Sequence, residues 1–181
     1  VKISIIIPVR NEEKYIEFCL NSVINALTEE VLEIIVIDGN SSDQTVRIVD
    51  NLCKKLPLIK LMHNPNRTVP YALNLGINES KGDFIMRLDA HTKYPCDYIQ
   101  NCISAMNKTN SDSVGGIVVS IQNGDSLSAK IVQMLTTHLF GVGNSSFRLQ
   151  PEPHYADTVP FGFFKKTIFN KIGIFDERLT R

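Results

Sequence analysis

Short apolar runs alternate along the chain with segments whose apolar positions recur every three or four residues. The short runs predict strands, because they are rich in β-branched residues and too brief for buried helices. They fall at residues 3–7, 32–37, 58–62 and 83–88. The segments between them predict helices with one apolar face, starting near Asn11, after the capping residues Ser41–Asp43, at Pro70 and at Pro95. This alternation predicts an α/β fold with a doubly wound, mostly parallel sheet flanked by helices.

The alternation loosens after Asn107. We predict a strand over residues 114–121, an amphipathic helix over 127–140 through Ile131, Met134, Leu135 and Leu139, and a short helix over 166–172. The polar segment 141–158 predicts a loop over the cleft. With 181 residues, the chain suits one domain with a sizeable core, in two halves that divide between residues 107 and 108.

Charge and cysteine usage exclude several functional classes. Lys plus Arg and Asp plus Glu both number 19, so no electrostatic nucleic-acid binder is indicated. No apolar run approaches the roughly 20 residues of a membrane-spanning helix. The four cysteines lack the paired spacing of a zinc site, which favours reduced thiols in a cytosolic protein.

Unusual polar residues follow three of the predicted strands. They are Arg10–Glu12, Asp38–Asp43 and Asp89–His91. In a doubly wound sheet, ligands bind outside the carboxyl ends of the strands, so these loops predict a shared cleft. If the chain stays extended there, Asp89 and His91 face one point, and a carboxylate with an imidazole suits a divalent cation. The alternative is a surface Asp and a solvated His in a loop. A nicotinamide site and a P-loop are both disfavoured, because neither glycine motif is present.

Four segments in this order resemble the family 2 glycosyltransferases. They are residues 5–13 (Ile-Ile-Ile-Pro-Val-Arg-Asn-Glu-Glu), 36–45 (Val-Ile-Asp-Gly-Asn-Ser-Ser-Asp-Gln-Thr), 89–91 (Asp-Ala-His) and 172–177 (Ile-Gly-Ile-Phe-Asp-Glu). The resemblance covers nearly the whole chain. It implies the GT-A fold, a nucleotide-diphosphate sugar as donor and inversion at the anomeric centre. Asp-Ala-His before Tyr94-Pro95, with the Val-Pro-Phe-Gly segment at 159–162, looks most like the subgroup that extends bacterial exopolysaccharides such as succinoglycan.

The resemblance also implies roles for particular residues. Residues 1–107 would form the nucleotide-sugar-binding half and residues 108–181 the acceptor-side half. The implied nucleotide-sugar-binding residues are Pro8, Val9, Arg10, Glu12, Asp38, Arg67, Asp89 and Ala90. Asp38 would accept a hydrogen bond from an N–H of the base, which favours UDP or GDP over ADP. The alternatives are that Asp38 only caps the turn at Gly39, and that Arg10 and Arg67 are solvated.

Asp89 and His91 match the metal motif of the family, which is usually Asp-x-Asp. With His91 in place of the second Asp, the motif still provides a metal ligand at this position but loses one negative charge. An imidazole suits Mn²⁺ better than Mg²⁺. Phe161, Gly162 and Phe163 would form an acceptor-side platform for a sugar, or else belong to the core. The acceptor would be a glycan or a lipid-linked glycan.

The catalytic base is expected beyond Arg181. In the family an acidic pair follows the Phe-Asp-Glu segment, here Phe175–Glu177, so this chain is interpreted as an incomplete piece that transfers sugar negligibly. The competing assignment makes Asp176 or Glu177 the base. The whole protein is expected at the cytoplasmic face of the membrane, attached through segments outside this chain. Two other functions stay open: a sugar nucleotidyltransferase, and a module that binds nucleotide sugar without turnover.

Overall fold

The computed structural model describes residues 1–119, 126–138, 142, 148, 152–156 and 158–179. Its strands are β1 (Ile3–Val9), β2 (Val31–Asp38), β3 (Ile59–His63), β4 (Phe84–Arg87), β5 (Ser113–Val114) and β6 (Phe163–Lys165). Its helices are α1 (Ile16–Asn25), α2 (Thr45–Lys55), α3 (Val69–Glu79), α4 (Tyr98–Thr109), α5 (Leu127–Thr137) and α6 (Ile168–Ile172). The predicted β-α alternation over the first 109 residues is confirmed.

One sheet of six strands holds these elements in the order β3-β2-β1-β4-β6-β5. The strands β1 to β4 run parallel, whereas β6 is antiparallel to both β4 and β5. Alternate residues of the strands face two separate apolar layers, as the period of two in a strand requires. Ile5 and Ile7 pack in the layer formed with α1, α2 and α4, and Ile6 packs in the layer formed with α3.

Helix α3 lies close to the sheet at Gly76. A Cβ on this residue would come within 2.7 Å of Ile6 Cγ2 and 2.8 Å of Ile37 Cδ1. These distances are shorter than real carbon contacts, so the close approach of α3 depends on a glycine at this position. The first turn of the same helix reaches the edge of the sheet where the predicted loops lie.

The start of α1 differs from the prediction. Asn11 does not cap this helix; it has a φ of 56°, and α1 begins five residues later at Ile16. The amides of Tyr15 and Ile16 both donate to the Glu12 carbonyl at 2.9 Å. The Asn11 side chain instead accepts from the amide of Ser42, because the loops after β1 and β2 are joined there. The prediction that Asn11 caps α1 is therefore wrong.

The chain forms two compact units, one of Val1–Val114 with Phe161–Arg181 and one of Gly115–Pro160. These units do not coincide with the predicted halves 1–107 and 108–181, whose functional roles stay a prediction. Strand β6 pairs with β4, which carries the last part of the chain back into the first unit.

The second unit contains helix α5. The predicted strand over 114–121 ends at Val114, and its last two residues lie outside the described part of the chain. The predicted helix is confirmed over Leu127–Thr137. Three residues of its predicted apolar face, Ile131, Met134 and Leu135, are all about half exposed or more. Leu139 and most of the predicted loop 141–158 lie outside the described residues.

Candidate nucleotide-sugar site

A cavity opens at the carboxyl ends of β1, β2 and β4, where the sequence predicted a cleft. Eight residues chosen from the sequence line it: Pro8, Val9, Arg10, Glu12, Arg67, Asp89, Ala90 and His91. The other lining residues are Ile37, Gly39, Asn64, Thr68, Val69, Ala72 and Arg87. Three loops far apart in the sequence therefore contribute to one cavity, as expected for the carboxyl edge of a parallel sheet.

The loops after β1 and β2 are joined by backbone-to-side-chain hydrogen bonds. The amide of Asn11 donates to Ser41 Oγ at 2.9 Å, and the amide of Ser42 donates back to Asn11 Oδ1 at 2.8 Å. The amide of Glu12 donates to Thr45 Oγ1 at 2.8 Å. These bonds satisfy backbone groups that no strand or helix can pair, and they fix the wall of the cavity formed by residues 8–12.

Asp38 ends β2 and is 4% exposed. Its two carboxylate oxygens accept from the amide of Ser41 at 3.3 and 3.1 Å. His63 Nδ1 lies 4.0 Å from Asp38 Oδ2. The structure thus gives Asp38 the turn-capping role that the sequence left as the alternative. Its neighbours Ile37 and Gly39 line the cavity, and contact between Asp38 and a base stays a prediction.

Arg67 reaches toward the loop after β2 from the segment before α3. With its oxygen turned toward the guanidinium, the Asn40 amide accepts from Arg67 Nε at 3.2 Å and from Nη2 at 2.6 Å. Both residues have positive φ, 62° for Asn40 and 64° for Arg67. This left-handed conformation costs energy for a residue with a side chain, so the surrounding contacts must hold it. Arg67 is nevertheless exposed, and its contact with a nucleotide stays a prediction.

Asp89 and His91 do not follow the extended geometry that was predicted. Strand β4 ends at Arg87, and the chain turns at Ala90. The rule that residues two apart in a strand point to the same side therefore does not hold for Asp89 and His91. Asp89 Oδ1 accepts from Arg87 Nη2 at 3.4 Å, while His91 Nδ1 lies 3.2 Å from Glu12 Oε1. Within the described residues, no group of three or more His, Cys, Asp or Glu side chains could hold a metal ion. The metal assignment stays a prediction.

Two buried side chains, Tyr94 and Cys19, form hydrogen bonds with the backbone of Asp89. Tyr94 Oη accepts from the Asp89 amide at 2.8 Å and lies 3.3 Å from its carbonyl, to which it donates. Cys19 Sγ also donates to that carbonyl, at 3.3 Å. Burial raises the pKa of the Cys19 thiol to about 12, and burial likewise raises the pKa of Tyr94 well above its usual range. Both groups therefore keep the protons that they donate at neutral pH.

Removing the Tyr94 hydroxyl should loosen this turn. In Tyr94→Phe the partly buried Asp89 amide loses its acceptor, so we expect the free energy of unfolding to fall by about 1–2 kcal/mol in urea titrations. Tyr155→Phe is the matched control, because Tyr155 is 89% exposed. Equal stabilities for Tyr94→Phe and the wild type would show that the hydroxyl does not hold the turn.

The acceptor-side prediction is partly wrong. Phe163 is 0% exposed and its ring stacks on Phe84 with centroids 5.3 Å apart, so it cannot stack on a sugar. It belongs to the core because β6 inserts beside β4. The Gly162 carbonyl accepts from the Arg87 amide at 3.0 Å, and Phe161 has a φ of 49° in the preceding turn. A role for Phe161 and Gly162 in acceptor binding stays a prediction.

The Phe-Asp-Glu segment is held against α3 by one buried side chain. Asn74 is 3% exposed, and its amide bonds both the N–H and the carbonyl of Phe175 at 2.9 Å. Its Nδ2 also donates to Glu177 Oε1 at 2.9 Å. Asp176 pairs with Arg178 at 2.7 Å on the surface.

Sequence reasoning missed the contribution of α3 and the last residue of β4. Thr68, Val69 and Ala72 line the cavity from the start of α3, and no motif in the sequence marks them. Arg87 had a visible signal, since it is the one charged residue that interrupts the apolar run before Asp89.

Comparison with known proteins places these observations in a family. The model for Glycosyl transferase family 2 matches residues 4–173. A dolichyl N-acetyl-alpha-D-glucosaminyl phosphate 3-beta-D-2,3-diacetamido-2,3-dideoxy-beta-D-glucuronosyltransferase of Methanococcus voltae is 35% identical, over 90% of this chain and 52% of the relative. Succinoglycan biosynthesis protein ExoA of Rhizobium meliloti is 30% identical, over 96% of this chain and 52% of the relative. The chain thus spans about half the length of these relatives.

Solved structures agree on the fold. TarS of S. aureus, residues 1–349 in complex with UDP, superimposes with a TM-score of 0.71 at 20% identity, over 99% of this chain and 52% of that one. The mannosyltransferase PcManGT of Pyrobaculum calidifontis, in complex with GDP-Man and Mn²⁺, gives 0.67 at 18% identity, over 97% and 47%. Among the described residues, no helix combines the length and the apolar character needed to cross a membrane. Because the family match runs through nearly the whole chain and the sheet agrees with it, this chain belongs to the family 2 glycosyltransferases and has their GT-A fold.

Proposed function

We propose that the cavity binds a nucleotide-diphosphate sugar together with a divalent cation, and that the protein transfers the sugar to a glycan or a lipid-linked acceptor with inversion. The observation that carries this proposal is the convergence of the three predicted loops on one cavity. We further propose a role in the synthesis of exopolysaccharide or cell-surface polysaccharide, at the cytoplasmic face of a membrane.

The lining chemistry supports a nucleotide as the ligand. Pro8, Val9, Ile37 and Ala72 supply an apolar surface for a flat base, and Arg67 supplies a cation at its edge. Small-molecule sites in proteins commonly combine an apolar lining with a few polar groups that fix orientation. The hydrogen bonds between the first two loops hold this surface in place before a ligand arrives.

Asp89 and His91 are the residues that would hold the cation. A carboxylate oxygen and an imidazole nitrogen suit Mn²⁺, and the phosphate oxygens of a donor would complete the ligand set. When Nδ1 of His91 carries the proton and donates to Glu12, the other ring nitrogen is left as a metal ligand, as in the carboxylate–histidine pairs of known metal sites. The bound cation would act as a Lewis acid that stabilises the leaving nucleoside diphosphate.

The comparisons support the class of ligand. One structural neighbour was solved with UDP-GlcNAc and another with GDP-Man and Mn²⁺. The names of the relatives concern a dolichyl-phosphate-linked acceptor and succinoglycan biosynthesis, which favours a lipid-linked or polysaccharide acceptor.

Binding should discriminate between bases. We expect UDP or GDP to bind at least tenfold more tightly than ADP in calorimetric titrations with Mn²⁺, because Asp38 can accept from an N–H that adenine does not present there. Asp38→Asn keeps an acceptor but loses the charge, so its affinity for the preferred nucleotide should fall about tenfold. A preference for ADP would contradict the assignment of Asp38.

The same titrations separate the other candidate functions. A sugar nucleotidyltransferase should bind a nucleoside triphosphate with a sugar phosphate, and the loop at 8–13 lacks the glycine-rich basic sequence for this purpose. A binding module should hold an intact nucleotide sugar without releasing nucleoside diphosphate, which chromatography of the incubated ligand would reveal.

A further inference from the structure

We infer that Arg87 is an oxyanion-binding residue in the floor of the cavity, and that it holds a phosphate or carboxylate oxygen of the donor. The inference rests on the proposed function in taking a nucleotide sugar as the ligand. Neither the sequence motifs nor the comparisons assign a role to this residue.

The position of Arg87 is set by the sheet. It is the last residue of β4, a strand with neighbours on both sides, and it pairs in register with Ile6 of β1. Residues two apart on a strand share a face, so Arg87 lies on the face of Ile85, against which α3 packs. Arg87 lines the cavity, as do Thr68, which precedes α3, and Ala72 in α3.

Most hydrogen-bond donors of the guanidinium are unused. Arginine carries five N–H donors and no acceptor. Among the described residues, the one partner of the Arg87 side chain is Asp89 Oδ1, at 3.4 Å from Nη2. Charge-assisted bonds of this kind are normally about 2.7–2.9 Å long, so this bond is a weak one. Nε is buried and has no hydrogen-bond partner within the described part of the chain.

A second buried polar atom in the same lining is also unmatched. Thr68 Oγ1 has no hydrogen-bond partner among the described residues, although Thr68 directly precedes α3 and could have capped it. Buried polar atoms are nearly always paired, and an unpaired one calls for a ligand, a water or an ion. Both unmatched atoms belong to residues that line the same cavity.

The surrounding charges favour an anion rather than a further protein partner. Arg87 is 31% exposed, so its outer nitrogens can be reached from the cavity. Three arginines (Arg10, Arg67 and Arg87) line this cavity, against two carboxylates, Glu12 and Asp89. A partly buried cation with one weak partner lowers stability, and a bound anion would remove this cost.

The test compares Arg87→Met with Arg47→Met, which removes an equal charge from the exposed surface of α2 outside the cavity. In Arg87→Met we expect the affinity for UDP to fall about tenfold or more, with no loss of thermal stability, while Arg47→Met binds as the wild type does. Uridine should bind both variants alike. If uridine also binds more weakly to Arg87→Met, the residue contacts the base and the inference is wrong.

Two further probes distinguish a phosphate from a carboxylate as the oxyanion, and distinguish failure of this inference from failure of the proposed function. If Arg87→Met weakens UDP and UDP-glucose alike, the oxyanion is a phosphate; an additional loss for UDP-glucuronate alone indicates a carboxylate. Inorganic pyrophosphate should raise the melting temperature of the wild type and not that of Arg87→Met. If pyrophosphate does so while no nucleotide binds, the inference stands and the proposed function fails. Equal binding by wild type and Arg87→Met of both UDP and UDP-glucuronate overturns the inference and leaves the proposed function intact.

Discussion

Asp89→Ala should abolish the effect of Mn²⁺ on nucleotide binding. We expect the wild type to bind UDP far more tightly with Mn²⁺ than with EDTA, and the variant to bind with one weak affinity in both. The loss should be on the order of 100-fold or more, because even the outer partners of metal ligands are worth 10–100-fold. Isothermal titration calorimetry of both proteins, with and without chelator, measures it.

The variant should fold normally. Among the described residues, the Asp89 side chain makes only the long contact with Arg87, while the bonds to Tyr94 and Cys19 come from its backbone. Circular dichroism checks this point. Asp97→Ala is the matched control, because Asp97 is exposed at the start of α4 and its side chain makes no capping bond. Equal UDP affinities of the wild type in Mn²⁺ and EDTA would contradict the metal assignment.

Of the variants considered, Glu33→Ala should lower the free energy of unfolding the most. Glu33 is 1% exposed in β2 and accepts from Ser4 Oγ at 2.8 Å, from Lys60 Nζ at 2.6 Å and from the Lys81 amide at 2.7 Å. Ser4 Oγ in turn accepts from the Gly82 amide at 2.9 Å. One carboxylate thus joins β1, β2, β3 and the turn before β4. Its removal leaves buried donors unpaired, and we expect the free energy of unfolding to fall by about 3 kcal/mol in urea.

The contribution of Glu33 should depend on pH. Burial alone would raise the pKa of this carboxyl, but the hydrogen bonds from Lys60, the Lys81 amide and Ser4 together lower it. A lowered pKa means that the stabilisation is fully present above the ordinary glutamate pKa of about 4.3 and is lost as the pH falls through the lowered value.

The difference in stability between wild type and Glu33→Ala should therefore shrink from pH 7 to pH 3. Glu29→Ala, at an exposed position, should match the wild type throughout. A difference for Glu33→Ala that grows on acidification would show that the carboxyl is buried in its protonated form.

The sequence predicted the core of the fold because the strands of a parallel sheet are buried on both faces. In a chain that alternates them with amphipathic helices, runs such as Ile3–Ile7 and Leu32–Ile37 indicate buried strands. The pattern of apolar residues did not predict strand β6. Strand β6 is three residues long and antiparallel, and its place beside β4 depends on a contact across more than seventy residues that no local pattern encodes.

The start of α1 shows why caps are hard to predict. Asn11 is a good capping residue, and so are Ser41 and Ser42, but in the structure they bond to one another. Either use pairs a side chain with an otherwise unpaired backbone group, and only the adjacency of β1 and β2 decides between them. Glu33 was likewise not recognised, because the serine and lysine that pair with it lie on other strands.

For the site, the sequence predicted which loops meet but not what each side chain does. The positions at strand ends followed from topology, so eight predicted residues line the cavity. The turn at Ala90 and the burial of Asp38 depend on tertiary contacts, and they changed the expected geometry. Phe163 was ambiguous for a physical reason, since an aromatic ring fills a core as readily as it stacks on a sugar.

The most direct test of the central claim is anomalous diffraction at the manganese edge from crystals grown with UDP and Mn²⁺. The account predicts one strong peak within bonding distance of Asp89 and His91, with the diphosphate bound to it and the base in the cavity lined by Pro8, Val9 and Ala72. A nucleotide bound elsewhere, or a manganese peak away from Asp89 and His91, would contradict it.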